Sequence, residues 1–396
     1  MIWYKAEWIE PKNLLITVMF RVFPFISLFV WFLTKNEVNY DIFWAPVTAA
    51  FVVYKIVHSR IRLNKLYASL LLLLIFLLLL KYIFPWFVSD GLSLKAALMD
   101  GKWVVYLTLV TLWVGTFGVP SIDNMYKAAV FFSIIYCFKA LLMFLSGHID
   151  RSGLLLEANY DGYMILMAYC FRNQVKTKGK WDDKILVFTT LLTLSRTGIA
   201  SLFAIWIYRT MRKNLLLLIP LIPILLAIVL IGFSLRGAQS AEHLDRFMYW
   251  EQAFLLFYDS DPIHLLCGFT PGKALDMIVL PEFQWTIDMF DEARGVDGIF
   301  PFMFHSVYLR IAITWGIPMA IIYTLVLLVK FFRTKIVPLR ELCMITLIQG
   351  FSLSTLTLPN VSILLFFCFF MTKKVAAYEK NKTPRKNHKY RLAISK

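Results

Sequence analysis

The apolar residues of this chain come in blocks separated by short polar stretches. The blocks lie near residues 14–33, 41–57, 66–88, 103–119, 126–146, 160–171, 185–208, 214–233, 306–330, 341–357 and 360–372. Most have the roughly 17 to 25 residues that a helix needs to cross a hydrocarbon core about 30 Å thick. Only helices and closed barrels satisfy their own backbone hydrogen bonds in lipid. The pattern predicts an all-α, polytopic integral membrane protein of about 11–12 transmembrane segments, with one large outer loop that contains short helices.

Two places break the pattern. The first is a polar insert of 71 residues, 234–304, between the blocks that end at Phe233 and begin near Val307. A connection that long is either functional or disordered. This one holds Trp250, Trp285 and the helix-like run from Asp245 to Leu256, so it is expected to fold against the membrane-embedded part. The second is Ser195-Arg196-Thr197-Gly198, at the centre of the 185–208 block. A straight span would put Arg196 at mid-bilayer and move every later loop to the other side. A chain that breaks there and returns keeps the basic turn 209–213 and the acidic insert on opposite sides. Two half-helices of about a dozen residues reach only about 18 Å, so they form a re-entrant pair whose tip lines a hydrated cavity. The expected organisation is a bundle over 1–233 containing the broken pair, the loop 234–304, C-terminal helices over 305–372 and a basic tail, 373–396.

Composition agrees: 59% of residues are hydrophobic and the mean hydropathy is +0.68. The formal net charge of +16 suggests nucleic acid at first sight, but its distribution argues against that. With a cytoplasmic N terminus, 28 of the 41 Lys and Arg fall in the cytoplasmic segments 1–13, 55–65, 120–127, 172–184, 209–213, 330–340 and 373–396. That is the positive-inside bias, and the tail from Lys380 to Lys396 reads as a solvated segment near anionic lipid. The insert carries eleven Asp and Glu against four Lys and Arg, which suits the outer face. Four of the five cysteines sit in apolar blocks without paired spacing, so neither a disulfide framework nor a zinc site is expected. The first block is followed by Thr34-Lys35-Asn36 instead of a small-residue cleavage site, and reads as a retained span. Basic residues inside spans are costly. Lys81, near a span end, snorkels to the interface, whereas Arg21 and Lys139 are placed to face an interior cavity.

The chain has no Walker-type phosphate loop and no His-Glu-x-x-His. Neither a metal nor another cofactor is expected. What remains is a dispersed set of outer-face cations, Arg151, Arg196, Arg246 and Arg294, with His305 at the mouth of a span and carboxylates nearby. Arginine forks bind phosphate oxygens bidentately and keep their charge in any environment. A histidine can accept a proton from an attacking hydroxyl. Such a set suits a transfer in which pyrophosphate leaves and a sugar hydroxyl attacks. The segment after Ser146 adds Glu157, Asn159 and Asp161 at the entrance of a span; an ordinary helix cap accounts for them equally well. Arg246 and Trp250, four apart, share one helix face. Arg310, one turn beyond His305, either lines the same cavity or pairs internally.

The order Leu194-Ser195-Arg196-Thr197-Gly198, Arg246-x-x-x-Trp250, Pro262 to Gly268, then His305-Ser306 with Gly316, resembles the O-antigen polymerase and ligase superfamily of lipid-carrier-dependent membrane glycosyltransferases. The likeness covers residues 150–330. It implies metal-independent glycosyl transfer at the periplasmic face of the bacterial inner membrane, from an undecaprenyl-pyrophosphate-linked oligosaccharide. In it Arg196 and Arg246 hold the departing pyrophosphate, and His305 orients or deprotonates the acceptor; Glu157 and Asp161 are the alternative bases. Arg151, Glu157, Asn159, Asp161, Trp250 and Arg310 are the expected substrate-binding set. The implied partners are the lipid-linked oligosaccharide, the bilayer, and a chain-length regulator and flippase of the same pathway, with no nucleic acid. Met319 stands where ligases of the family often carry a second glycine, which favours the polymerase over the ligase. A flippase is the reading from another class, but it would spread polar residues through many spans.

Overall fold

A computed structural model describes residues 10–34, 40–58, 65–87, 89–147, 153–155, 157–213, 245–284, 286–288, 291 and 298–382. Among them helix is the only regular structure. In chain order the helices are α1 (Pro11–Thr34), α2 (Asp41–His58), α3 (Lys65–Phe87), α4 (Leu94–Phe117), α5 (Ile122–Leu145), α6 (Ala158–Cys170), α7 (Asp182–Leu192) and α8 (Arg196–Lys213). The insert contributes α9 (Asp245–Tyr258) and α10 (Pro262–Cys267). After it come α11 (Val307–Trp315), α12 (Ile317–Arg333), α13 (Val337–Gly350) and α14 (Pro359–Lys382). Of the described helices, α1, α3, α4 and α5 are long and apolar enough to cross a membrane. The fold is that of an all-α membrane protein.

Unbroken spans are thus fewer than the apolar blocks. Apolarity says that a segment is buried or faces lipid; it does not say that the segment is straight. The 185–208 block is interrupted at Thr193–Ser195, the 306–330 block at Gly316, and the 341–357 block ends its helix at Gly350. The 214–233 block and the basic tail beyond Lys382 lie outside the described residues. Even the long helices are not uniform. α1 and α3 each contain a π-helical turn, Val18–Val22 and Leu79–Ile83, and each turn carries that helix's embedded cation, Arg21 or Lys81. Such turns are rare and concentrate where a side chain must be re-aimed.

Local chemistry sets the boundaries. Ser93 Oγ accepts the Ala96 N–H to start α4, and Ser121 Oγ accepts the Asn124 N–H to start α5. Each satisfies one of the orphan donors of a helix N-terminus. Within lipid, helices gain little from hydrophobic transfer and associate through close packing and polar bonds. Both occur here. Gly101 lets α4 lie against the Tyr82 ring of α3, and Trp44 of α2 donates its indole N–H to Asn360 of α14 at 2.7 Å. Trp113, Tyr126, Phe132 and Tyr163 are fully buried in the bundle core.

The two ends of the bundle are distinct. At the insert end, the Ser93 N–H donates to the Gly272 carbonyl at 2.7 Å, tying the insert to the start of α4. At the opposite end, Asp123 accepts the Lys176 N–H at 2.7 Å and the Tyr126 hydroxyl donates to Asp183. There the fully buried Glu341 receives Arg172 at 3.2 Å and the two-pronged guanidinium of Arg209. α7 begins at this opposite end, where Asp183 of its first turn meets Tyr126, and α8 brings Arg209 back to it before ending at Lys213. Their junction reaches inward to Gly162 of α6, where an added Cβ would meet Thr193 Oγ1 at 3.0 Å.

Candidate functional site

His305 sits on a backbone fixed from both sides. The carbonyl of Phe304 accepts Arg310 Nε at 2.7 Å and Ser354 Oγ at 3.1 Å. The Ser306 hydroxyl donates to the Gly350 carbonyl at 2.9 Å, and the Val307 N–H to the Leu353 carbonyl at 3.1 Å. A group held this way spends little freedom when it engages a reactant. Its ring lies edge-on to Tyr249 of α9, with centroids 5.1 Å apart.

The partner in this fixation is a segment that sequence reasoning took for the end of a span. Residues 352–357, between α13 and α14, are buried without being helical. Their backbone and hydroxyls are used in place of a helix ladder. The Ser354 N–H donates to Tyr160 Oη at 3.2 Å, Thr357 Oγ1 donates to the Ser354 carbonyl at 3.1 Å, and Arg310 Nη1 donates to Thr357 Oγ1 at 2.5 Å. The run Ser352, Ser354, Thr355, Thr357 and Pro359 was the available signal: hydroxyls compete for backbone groups and proline stops a ladder.

The insert reaches this place through a core of its own. Met248, Tyr249, Phe283, Phe300 and Phe304 pack with Ala96 of α4 and with Leu309 and Ile313 of α11. Gln252, fully buried, donates to the Ile278 carbonyl at 2.6 Å and accepts the Leu280 N–H at 2.8 Å. Two glycines decide how closely the insert approaches. Gly268, at φ +74°, lies against the Thr314 carbonyl, and Gly316, at φ +89°, against the Leu266 carbonyl. The Phe269 N–H closes the junction on the Ile313 carbonyl at 2.7 Å. No side chain fits at either position. Lys81 completes the joint: its Nζ donates to the Cys267 carbonyl at the end of α10, at 2.9 Å, with Trp315 alongside. The lysine expected to snorkel therefore serves as a helix C-cap.

The remaining sequence candidates divide. Trp250 donates its indole N–H to the Phe351 carbonyl at 3.4 Å and lies over that ring, so it clamps α9 to the buried break. Arg196 opens α8 directly after Leu194, a non-glycine residue at φ +49°, and Ser195, whose Oγ accepts the Gly198 N–H at 3.1 Å. Further along α8, Ser201 receives Gln349 Nε2 at 3.1 Å, beside Gly350 and hence Ser306. Arg246 lies one turn before Tyr249 and Trp250 on α9; its side chain is outside the described part, as is Arg151 entirely. Arg310 is engaged internally, by Phe304 and Thr357, and faces the buried Asp100 of α4, which sequence reasoning missed. Asp161 is fully buried and accepts the N–H groups of Leu154 and Leu155, at 2.5 and 3.3 Å, while Lys139 holds the adjacent Gly153 carbonyl at 2.5 Å. Both anchor one loop. Glu157 is exposed and accepts the side-chain amide of Asn159, itself buried. Among the described residues no group of His, Cys, Asp and Glu is placed to hold a metal ion.

No family model, curated protein or solved structure matches this chain.

Proposed function

We propose that the chain is a membrane glycosyltransferase that polymerises lipid-linked repeat units of a surface polysaccharide, such as O-antigen, on the periplasmic side of the bacterial inner membrane. The observation that carries the reading is the anchoring of His305 between a break in the bundle and the α9 helix that bears Arg246. Segments far apart in sequence converge there: α9, the His305–Tyr308 entry, the Gly350–Thr357 break and, through Ser201 and Gln349, the helix opened by Arg196. Three of them, the opening of α8, α9 and the His305 entry, carry motifs of the resemblance; the Gly350–Thr357 break does not.

In the proposed step a hydroxyl oxygen of one lipid-linked repeat unit attacks the anomeric carbon of another. The new C–O bond forms as the bond to undecaprenyl pyrophosphate breaks, and the electron pair leaves with the pyrophosphate. The hydroxyl proton passes to His305. Arg196 and Arg246 hold the pyrophosphate oxygens as charge gathers on them, which is where fixed donors contribute most. Attack opposite the leaving group inverts the anomeric centre. Glu157 remains the alternative base. Asp161 is less suited, since its carboxylate is buried against the Leu154 and Leu155 N–H groups. Arg310 is assigned to positioning, because its fork holds the carbonyl next to His305.

Transfer is tested with purified protein and a synthetic pyrophosphate-linked oligosaccharide, reading extended product and released carrier. Arg196→Ala, Arg246→Ala and His305→Ala are each expected to lower product at least about a hundredfold, the scale of losing one transition-state donor or an acid–base group. Arg246→Lys is expected to be poor as well, since an ammonium cannot reproduce the fork. Wild-type rates from all the alanine variants would remove the assignment.

A further inference from the structure

A second site lies at the end of the bundle away from the insert. A cavity of about 510 Å³ opens between α1, α5 and α7, lined by Arg21, Lys127, Lys178 and Asp182 together with Phe131 and Ile185. A second cavity, of about 360 Å³, shares Ile134 and Ile185 with it and continues along Cys137 and Phe188. The two adjoin at these isoleucines in a path that is cationic at Arg21, Lys127 and Lys178 and largely apolar past them, with Lys184 as the charged residue lining the second cavity.

The cations have defined settings. Arg21 projects from the π-helical turn of α1 and lies 5.9 Å from the Phe131 ring centre. Lys127 stands six residues into α5 from its Ser121 cap, about 9 Å along the axis at 1.5 Å per residue. Lys178 belongs to the loop before α7 and pairs with Asp183. The one carboxylate in the lining, Asp182, is turned to the Gly179 N–H at 2.7 Å. Across the two cavities Arg21, Lys127, Lys178 and Lys184 stand against Asp182 and the Asp183 partner of Lys178, and this cationic excess favours an anion. The apolar continuation favours a ligand with a hydrocarbon tail, and a basic pocket between helices at the membrane surface is where acidic headgroups are held.

We infer that this path binds an anionic phospholipid, its phosphate among Arg21, Lys127 and Lys178 and one acyl chain along Ile134, Ile185 and Phe188. The site gives Arg21 a role that the transfer reaction does not use. It also joins α1 to α7, the first helix of the broken pair. The inference stands apart from the proposed transfer reaction and survives its failure.

The test is native mass spectrometry of the full chain in neutral detergent, offered phosphatidylglycerol, phosphatidylethanolamine or glycerol phosphate in turn. Phosphatidylglycerol is expected to stay bound at least about tenfold better than phosphatidylethanolamine, a difference of about 1.4 kcal/mol. Glycerol phosphate, with no tail, is expected not to compete. Arg21→Gln with Lys127→Gln should abolish that preference. Lys178→Gln, on the loop, should reduce it without disturbing a helix, and Ile185→Trp should lower phosphatidylglycerol binding with every charge intact. Equal retention of the two lipids, or phosphatidylglycerol retention unchanged by Lys178→Gln and Ile185→Trp, overturns the inference. Full competition by glycerol phosphate overturns it in favour of a free phosphate site.

Discussion

Replacing Gly316 by alanine probes the joint that brings the insert to His305. The backbone there has φ +89° and ψ 158°, a region essentially reserved for glycine, and holding another residue in it costs about 1–3 kcal/mol. An added Cβ would also run into the Leu266 carbonyl at the end of α10, and backbone cannot move aside as a flexible side chain does. Overpacking of that kind costs about 1–3 kcal/mol more. The sum, about 2–6 kcal/mol, matches at its low end and otherwise exceeds the about 2 kcal/mol that the Lys81 cap and the Phe269 hydrogen bond together contribute. The variant is therefore expected to insert in the membrane with α10 undocked. Limited proteolysis in detergent reads this directly. Cleavage within 259–281 should rise about thirtyfold or more, the factor that corresponds to about 2 kcal/mol. Gly91→Ala is the control, because Gly91 has φ +72° but nothing within 4 Å of an added Cβ; it carries the strain without the collision. Digestion of Gly316→Ala at the wild-type rate would refute the reasoning.

Three more perturbations follow the same logic. Glu341→Gln leaves Arg172 and Arg209 facing a neutral group in a buried site, and breaking such a pair costs about 3–5 kcal/mol; thermal unfolding in detergent should shift down by several degrees, and an unchanged midpoint would show that the cluster is dispensable. Arg310→Lys keeps the charge but cannot reach both the Phe304 carbonyl and Thr357, so turnover should fall about tenfold or more while donor affinity is kept. A rise in KM with unchanged kcat would instead make Arg310 a substrate contact. Asp161→Asn retains one acceptor for the Leu154 and Leu155 N–H groups, so product formation should stay within about threefold of wild type, against a general base whose loss costs about a hundredfold or more.

Much of the architecture was legible because lipid leaves the backbone few options. Apolar blocks announced helices, and the polar residues inside the 185–208 block announced its break. Other features were hidden because they depend on what lies opposite. Nothing local distinguishes Arg310, which grips Phe304 and Thr357, from a cation awaiting a substrate. Asp161 read as an entrance carboxylate, yet it is consumed by two backbone donors within its own loop. Asp100 escaped notice because its significance comes from Arg310, more than two hundred residues away in sequence. The irregular stretch from Ser352 to Thr357 was readable in principle, since its hydroxyl density is wrong for a lipid-facing span. Hydropathy smoothed it over. Gly268 and Gly316 came in with the resemblance, and the structure supplies a physical reason for them: each lies against the backbone that flanks the other.

The central claim, polymerisation of lipid-linked units by a His305-dependent site, is tested most directly by a gel of surface lipopolysaccharide. Cells lacking the protein are run beside cells carrying it and cells carrying His305→Ala at equal membrane level. The account predicts a ladder only with the wild-type chain, and core bearing a single repeat unit in the other two. Bare core with long polymer held on the lipid carrier would instead indicate a ligase, and bare core with units trapped on the cytoplasmic face a flippase. An unchanged ladder in all three strains would contradict the account.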